Sequence, residues 1–133
     1  MNLFNRTVTI FNRTDPEDIM ETDTWYSTVL DNVRVIETSG TNNDADGLNL
    51  HIMLKSLEKP YLTPIEWGKL RDKTTAFTLT QGNDFIVIGD ASSESPTEHI
   101  NFFDYMRENY DGVYKITSVT QYTAIPHLEV GGK

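Results

Sequence analysis

The residues best suited to hold a metal stand at Asn42-Asn43-Asp44-Ala45-Asp46-Gly47, where spaced side-chain oxygens and a glycine imitate the opening of a calcium loop. The imitation ends early. A calcium loop closes on a bidentate Glu at its twelfth position, and counting from Asn42 that place falls to Met53, so no calcium site is expected. His51, His99 and His127 lie far apart in the chain and outside any His-Glu-x-x-His spacing. Ser92, Ser93 and Ser95 sit in no Gly-x-Ser-x-Gly elbow, and no phosphate loop or dinucleotide fingerprint occurs. Carboxylates abound, but without geometry no catalytic pair stands out from an acidic chain. The expectation is of no catalytic, cofactor-binding or metal residues, and so of a protein that is not an enzyme. Trp25, Tyr26 and Tyr61 are the aromatics able to stack a base or a sugar, yet the basic residues that a nucleic-acid platform interleaves are missing around them in sequence. They are expected to pack in the core or at a subunit interface.

A net charge of −9 works against a duplex-binding face, which relies on clustered Lys and Arg, and leaves room only for local basic patches. The acid is uneven: Asp15, Glu17, Asp18, Glu21 and Asp23 crowd one segment that reads as a solvated loop. Such a field repels DNA, a fault in a DNA binder but useful in a conduit through which DNA must slide. The absence of cysteine excludes disulfides, thiolate zinc sites and a cysteine nucleophile. The first residues lack the basic-then-apolar order of a signal peptide and no apolar run reaches membrane-spanning length, so a soluble intracellular product with no membrane partner is expected.

The elements that must position these residues are mostly strands. A chain of 133 residues suits one domain, which buries roughly two-thirds of the surface of its unfolded chain. Phe77 to Asp90 reads as a central hairpin: Phe77 and Leu79 alternate with Thr78 and Thr80, Gln81 to Asp84 offer a tight reversal, and Phe85 to Ile88 form an all-apolar strand covered on both sides. Val8 and Ile10 mark a first strand over 7–11. A second spans Thr24 to Ile36, with a bulge or bend at Asp31-Asn32. Leu48, Leu50, Ile52 and Leu54 give the clearest alternation of all. Thr63-Pro64-Ile65-Glu66 signals a capping box and a short helix to about Lys69, with Trp67 against the sheet. Ser95-Pro96-Thr97-Glu98 repeats the signal before Ile100, Phe103, Met106 and Tyr110 at helical spacing, a longer helix stopped by Asp111-Gly112. Tyr114 and Ile116, then His127 to Val130, suggest the last strands. The predicted fold is mainly β, a small β-barrel with one longer and one short helix packed against it.

Several stretches carry a resemblance: Val8-Thr9-Ile10-Phe11-Asn12, Trp25-Tyr26-Ser27-Thr28-Val29-Leu30, Pro64-Ile65-Glu66-Trp67, Phe77-Thr78-Leu79 with Gly82, and the ending Pro126-His127-Leu128-Glu129-Val130-Gly131-Gly132-Lys133. Over most of its length the chain resembles a family of small virion proteins encoded in the head-completion region of long-tailed bacteriophages of Gram-positive hosts. The resemblance implies a head-tail connector component, a stopper or head-closure protein with a β-barrel core. Such proteins form a homo-oligomeric ring in the virion neck after synthesis in the host cytoplasm. Their partners would be portal and adaptor proteins on the head side and a tail terminator on the tail side, with transient, non-specific proximity to genomic DNA. The stretch from Asp90 to Tyr110 departs from the generic pattern.

By the same resemblance, the loop at this place in the strand order projects into the central channel. That nominates Thr38-Ser39-Gly40-Thr41-Asn42-Asn43-Asp44-Ala45-Asp46-Gly47 as a gate, with Asp44 and Asp46 bringing negative charge toward the axis. The alternative is an ordinary exposed connection between strands. A tail terminator or tail-completion protein fits the same size and β-rich character, and a β-barrel binding module for a peptide, sugar or nucleic acid is the reading from another class. Like-charge repulsion further predicts an isolated subunit that stays largely monomeric until a preformed portal and adaptor template its ring.

Overall fold

Strand β1 (Arg6–Thr14) turns Val8 and Ile10 to one side, as their spacing requires, and both are fully buried. The computed structural model describes residues 3–14, 24–38 and 47–133. Around β1 it sets β2 (Thr24–Thr38), β3 (Gly47–Met53), β4 (Phe85–Ile88), β5 (Val113–Tyr122) and β6 (His127–Gly132). All the pairings are antiparallel, and the order β1-β2-β3-β6-β5-β4 returns to β1 to close a barrel. Two helices, α1 (Pro64–Gly68) and α2 (Phe102–Asn109), complete the mainly β fold that the alternation predicts.

The interruption at Asp31-Asn32 is a bulge. The β1–β2 register jumps from Arg6↔Val33 to Val8↔Leu30, so Leu30 and Val33, three apart, both face the interior. Asn32 takes a left-handed φ of 59°, which its short amide side chain tolerates, and Thr7 Oγ1 donates to Asp31 Oδ1 at 2.7 Å across the jump. At the far end of the chain Gly132 passes so close to β5 that a Cβ would lie 3.0 Å from Tyr114 Cβ and 3.2 Å from the Lys115 carbonyl. A bare backbone there lets Lys133 exchange two hydrogen bonds with Lys115, which accounts for Gly132, while a Cβ at Gly131 would meet Ser118 Oγ.

The hairpin expected between Phe77 and Asp90 does not form. β4 spends one edge on β1, through Val8↔Ile88 to Phe11↔Phe85, and the other on β5, through Phe85↔Lys115 to Val87↔Val113. No edge remains for residues 77–80. Phe77 instead makes one parallel bridge to Tyr61, and Phe77 and Leu79 join the interior cluster. Because they belong to no strand of the closed sheet, they must enter through an end of the barrel. The expectation that β4 is covered on both sides holds: Ile86 and Ile88 face the interior, while Phe85 and Val87 face an outer cluster with Phe11, Ala91, Phe102, Met106 and Val113.

Helix α1 carries the predicted capping box, with Thr63 accepting from the Glu66 amide and Glu66 reaching back to the Thr63 amide. Its Trp67 is buried, meets Tyr26 of β2 edge-on and donates Nε1 to the Ala76 carbonyl at 3.1 Å. The second box is different. Pro96–Glu98 is a single 3-10 turn, Ser95 makes no side-chain cap, and α2 starts later on Asn101, whose side chain accepts from the Asp104 amide. Ile100 is fully exposed, and Phe102 and Met106 fill the buried stripe. Docking against the aromatic outer face of β4 sets that phase, overriding the spacing visible in sequence.

The end of the barrel near residues 77–84 is sealed by a buried polar knot. Asp84 Oδ1 accepts from the Arg13 amide (3.0 Å) and Asn83 Nδ2 (3.1 Å); Oδ2 accepts from Asn12 Nδ2 and the Thr80 amide, both at 2.9 Å. Asn12 also brackets Thr78, donating to its carbonyl at 2.6 Å and accepting its amide at 3.3 Å. Burial pushes the Asp84 carboxyl above the ordinary carboxylate range, and the donors pull it partly back. Both oxygens face donors only, so Asp84→Asn would turn an amide group toward two of them. A loss of roughly 2–4 kcal/mol in urea-unfolding stability is expected for D84N, and an unchanged midpoint would show that the knot does not hold this end together.

Candidate interaction surface around Phe103

On α2, Phe103 and Arg107 lie one turn apart beside the buried pair Phe102 and Met106. Phe103 leans edge-on against Phe85 of β4, with ring centroids 5.1 Å apart. The pairing Phe85↔Lys115 then carries Lys115 to the same spot, where its Nζ stands 4.3 Å from the Phe103 centroid, and Arg107 Cζ stands 5.4 Å away. Lys133 lies alongside Lys115 through their paired backbones. Two depressions meet at Phe103 and Lys115. One is shallow and bordered by Gln81, Gly82, Arg107 and Lys133; the other is a cleft of about 270 Å³ bordered by Arg13, Trp25, Asn83 and Ile100.

The cleft answers one sequence-based expectation. Around Trp25 the chain shows no interleaved basic residues, but the β1–β2 register sets Arg13 opposite Trp25, and the β4–β5 register adds Lys115. Trp25 packs edge-on against Phe85 at 5.0 Å while still bordering the cleft. Tyr26 and Tyr61 pack as expected, on Trp67 and Phe77. Phe103 and Arg107 were visible in sequence as a helical i, i+4 pair, but Lys115 carried no signal because its place depends on strand pairing.

The opposite flank of α2 is acidic. Tyr105 stacks on His99 with centroids 3.5 Å apart, and Tyr110 Oη donates to Glu94 Oε1 at 2.5 Å. Burial, then the charge and hydrogen bond of Glu94 and the charge of Glu98, push the Tyr105 phenol up. The hydrogen bond to Glu94, helped by burial and by the carboxylate's charge, pushes the Tyr110 phenol up to about 12.

Other sequence candidates fall elsewhere. Thr38 and Gly47 are partners at the tip of the β2–β3 hairpin, with Thr38 Oγ1 donating to the Gly47 carbonyl at 3.4 Å; Ser39 to Asp46 lie outside the described residues, as does the acidic segment 15–23. Distant in sequence, His51 and His127 meet on the outside of the β3–β6 ladder, where Glu129 Oε1 lies 3.9 Å from His51 Nδ1 and 3.5 Å from His127 Nε2. Among the described residues no three such groups are arranged to hold a metal ion, and no helix is long and apolar enough to cross a membrane. Ser92 Oγ donates to Asp90 Oδ1 at 2.6 Å in a local turn.

A family model spans this whole arrangement, matching residues 3–133. The chain belongs to the DUF6751 family. The family is described as one of unknown function, and no curated protein and no solved structure matches the chain.

The Tyr110–Glu94 contact has a readable titration. Since the folded value lies above the unfolded one near 10, the contact contributes stability in full below about pH 10 and loses it as pH rises through about 12. Following the Tyr110 ring by NMR should place its midpoint near 12 in the native protein and closer to about 10 in Glu94→Gln. Equal midpoints would show that Glu94 does not hold the phenol.

Proposed function

We propose that this chain is a structural protein of a bacteriophage head-tail connector, a ring-forming stopper or head-closure protein. It would retain packaged DNA and provide the surface to which the tail attaches. In this reading the protein sits in the virion neck, below portal and adaptor proteins and above a tail terminator, after synthesis in the host cytoplasm. The resemblance of its N-terminal strand, its Trp25 to Leu30 segment and its glycine-rich ending supports the assignment, and so does an acidic balance that lets DNA pass without adhering. The observation that carries the gate is the Thr38↔Gly47 pair. It ties both ends of a polar segment with two aspartates to the tip of a hairpin within the barrel wall. A tail terminator or tail-completion protein is the neighbouring station with the same support.

A second reading, a β-barrel binding module for a peptide, sugar or nucleic acid, is favoured by the cleft between Arg13, Trp25, Phe103 and Lys115, where aromatic and cationic groups converge. Such a module would work outside the particle.

Mass spectrometry of purified particles separates the two. The connector reading expects the protein in every particle and loss of infectious yield when its gene is deleted; absence from particles with normal yield would overturn it. Replacing residues 39–46 by an Asn-Gly turn preserves the antiparallel pair at Thr38 and Gly47, so the variant should fold and join heads. Those heads are expected to leak DNA before tails attach, and full retention of the genome would remove the gate while leaving the connector assignment.

A further inference from the structure

We propose that α2 is the element by which one copy of this chain docks head-to-tail on the next, the cationic flank at Arg107, Lys115 and Lys133 of one copy meeting the acidic flank at Glu94 and Glu98 of its neighbour. The proposal rests on the ring reading above and names the surfaces that would build the ring.

Its first support is the placement of charge on one helix. At about 100° per residue, the buried pair Phe102 and Met106 forms the floor of α2, with Phe103 and Arg107 rising on one side and Tyr105 on the other. Arg107 and Lys115 gather on the Phe103 side and Glu94 and Glu98 on the Tyr105 side, with Asp104 between them at the border of the cleft. Lys115 and Arg107 stack on Phe103, while Glu94 bonds Tyr110 and, with Glu98, faces Tyr105. The side chains of Arg107, Lys115 and Lys133 make no ion pair among the described residues, so their charge is open to a partner.

The second support is symmetry. A contact joining two different surfaces of the same chain repeats, and where the rotation closes it makes a ring. Both flanks lie on or against one helix docked on the barrel wall, so their relative direction is set in every copy. Three cations around one phenylalanine form no track for a phosphate backbone, and the charge of the whole chain opposes a polynucleotide, so a second copy is the better match. Exposed pairs of this kind are weak singly and screened by salt, which suits a subunit that is largely monomeric at ordinary concentration and salt and associates when copies are crowded, as on a template.

Arg107 and Glu98 are exposed, so reversing either should leave the barrel intact, to be verified by equal melting midpoints. Sedimentation velocity of the full chain at high concentration and low salt is expected to show reversible association that added salt abolishes. Arg107→Glu and Glu98→Arg should each weaken it sharply, because each variant sets like charges at positions 107 and 98, which face each other across the contact, and cuts the net charge of one flank by two. An equimolar mixture should regain it, since in an alternating array positions 107 and 98 then carry opposite charges at every contact. The proposal is overturned if the wild type never associates, if either variant associates as the wild type does, or if the mixture fails to recover. It is also overturned if the wild type shifts a labelled DNA duplex and Arg107→Glu does not, which would assign the flank to nucleic acid. Particle composition does not enter this readout. A virion protein that fails the exchange loses this contact and keeps the connector reading, whereas a protein absent from particles that passes it keeps the contact and loses the connector.

Discussion

Strand β4 has neither a free edge nor a free face, and the rest of the molecule follows from that constraint. Its backbone pairs with β1 on one side and β5 on the other, so these four residues join the first strand to the last pair and close the barrel. Their side chains divide in the same way, Ile86 and Ile88 inward and Phe85 and Val87 outward. A sheet that exposed Phe85 and Val87 to water would forfeit their burial, worth roughly 1.5–3 kcal/mol for each side chain. The segment from Asp90 to Tyr110 provides the cover. Phe102 and Met106 complete the outer cluster, and Thr9 pins the start of the segment by donating to the Gly89 carbonyl and accepting the Ala91 amide, both at 2.8 Å. A stretch that reads as an insertion in sequence is thus what makes a two-faced apolar strand possible.

Where the ladder ends, a polar device takes over. Asp84 follows the turn Gln81–Asn83, and its carboxylate draws in donors from β1, from Thr80 and from its own neighbour Asn83. A buried charge is tolerated only with such a full set of partners, because an orphaned donor or acceptor costs about 1–3 kcal/mol. With Asn12 it does for the segment 77–80 what strand pairing cannot, since β4 has no edge to offer. The aromatic contacts of Phe85 and the polar contacts of Asp84, neighbours at the start of β4, therefore serve the same purpose: both hold non-strand segments against a closed sheet.

The surface around Phe103 is a by-product of that packing. Once α2 is docked to cover β4, its sides carry what its sequence places there, Phe103 and Arg107 toward β5 and Tyr105 toward the acidic stretch before the helix. The charge separation across α2 thus comes from a docking requirement of the core, and the same helix that completes the fold presents the surfaces available for association.

Much of the fold was legible from sequence by itself, wherever local spacing and local chemistry agree. Val8 and Ile10, Leu48 to Ile52 and Leu128 and Val130 alternate because a strand with one face in a core must. The Thr63–Glu66 box needs no partner beyond its own turn, and the break at Asp31-Asn32 betrays its bulge through residues that tolerate unusual backbone. The tertiary structure decided what depends on partners distant in the chain. Residues 77–80 have strand-like alternation but no ladder, because β1 and β5 had already taken both edges of β4. The start of α2 moved from Ser95 to Asn101 because burial of Phe102 and Met106 outweighs a local cap worth about 1 kcal/mol. Arg13 beside Trp25 and His51 beside His127 came together through strand register, and Lys115 reached Phe103 through the β4–β5 register together with the docking of α2 on Phe85. Register joins residues by pairing across the sheet, and no spacing along a single strand records it.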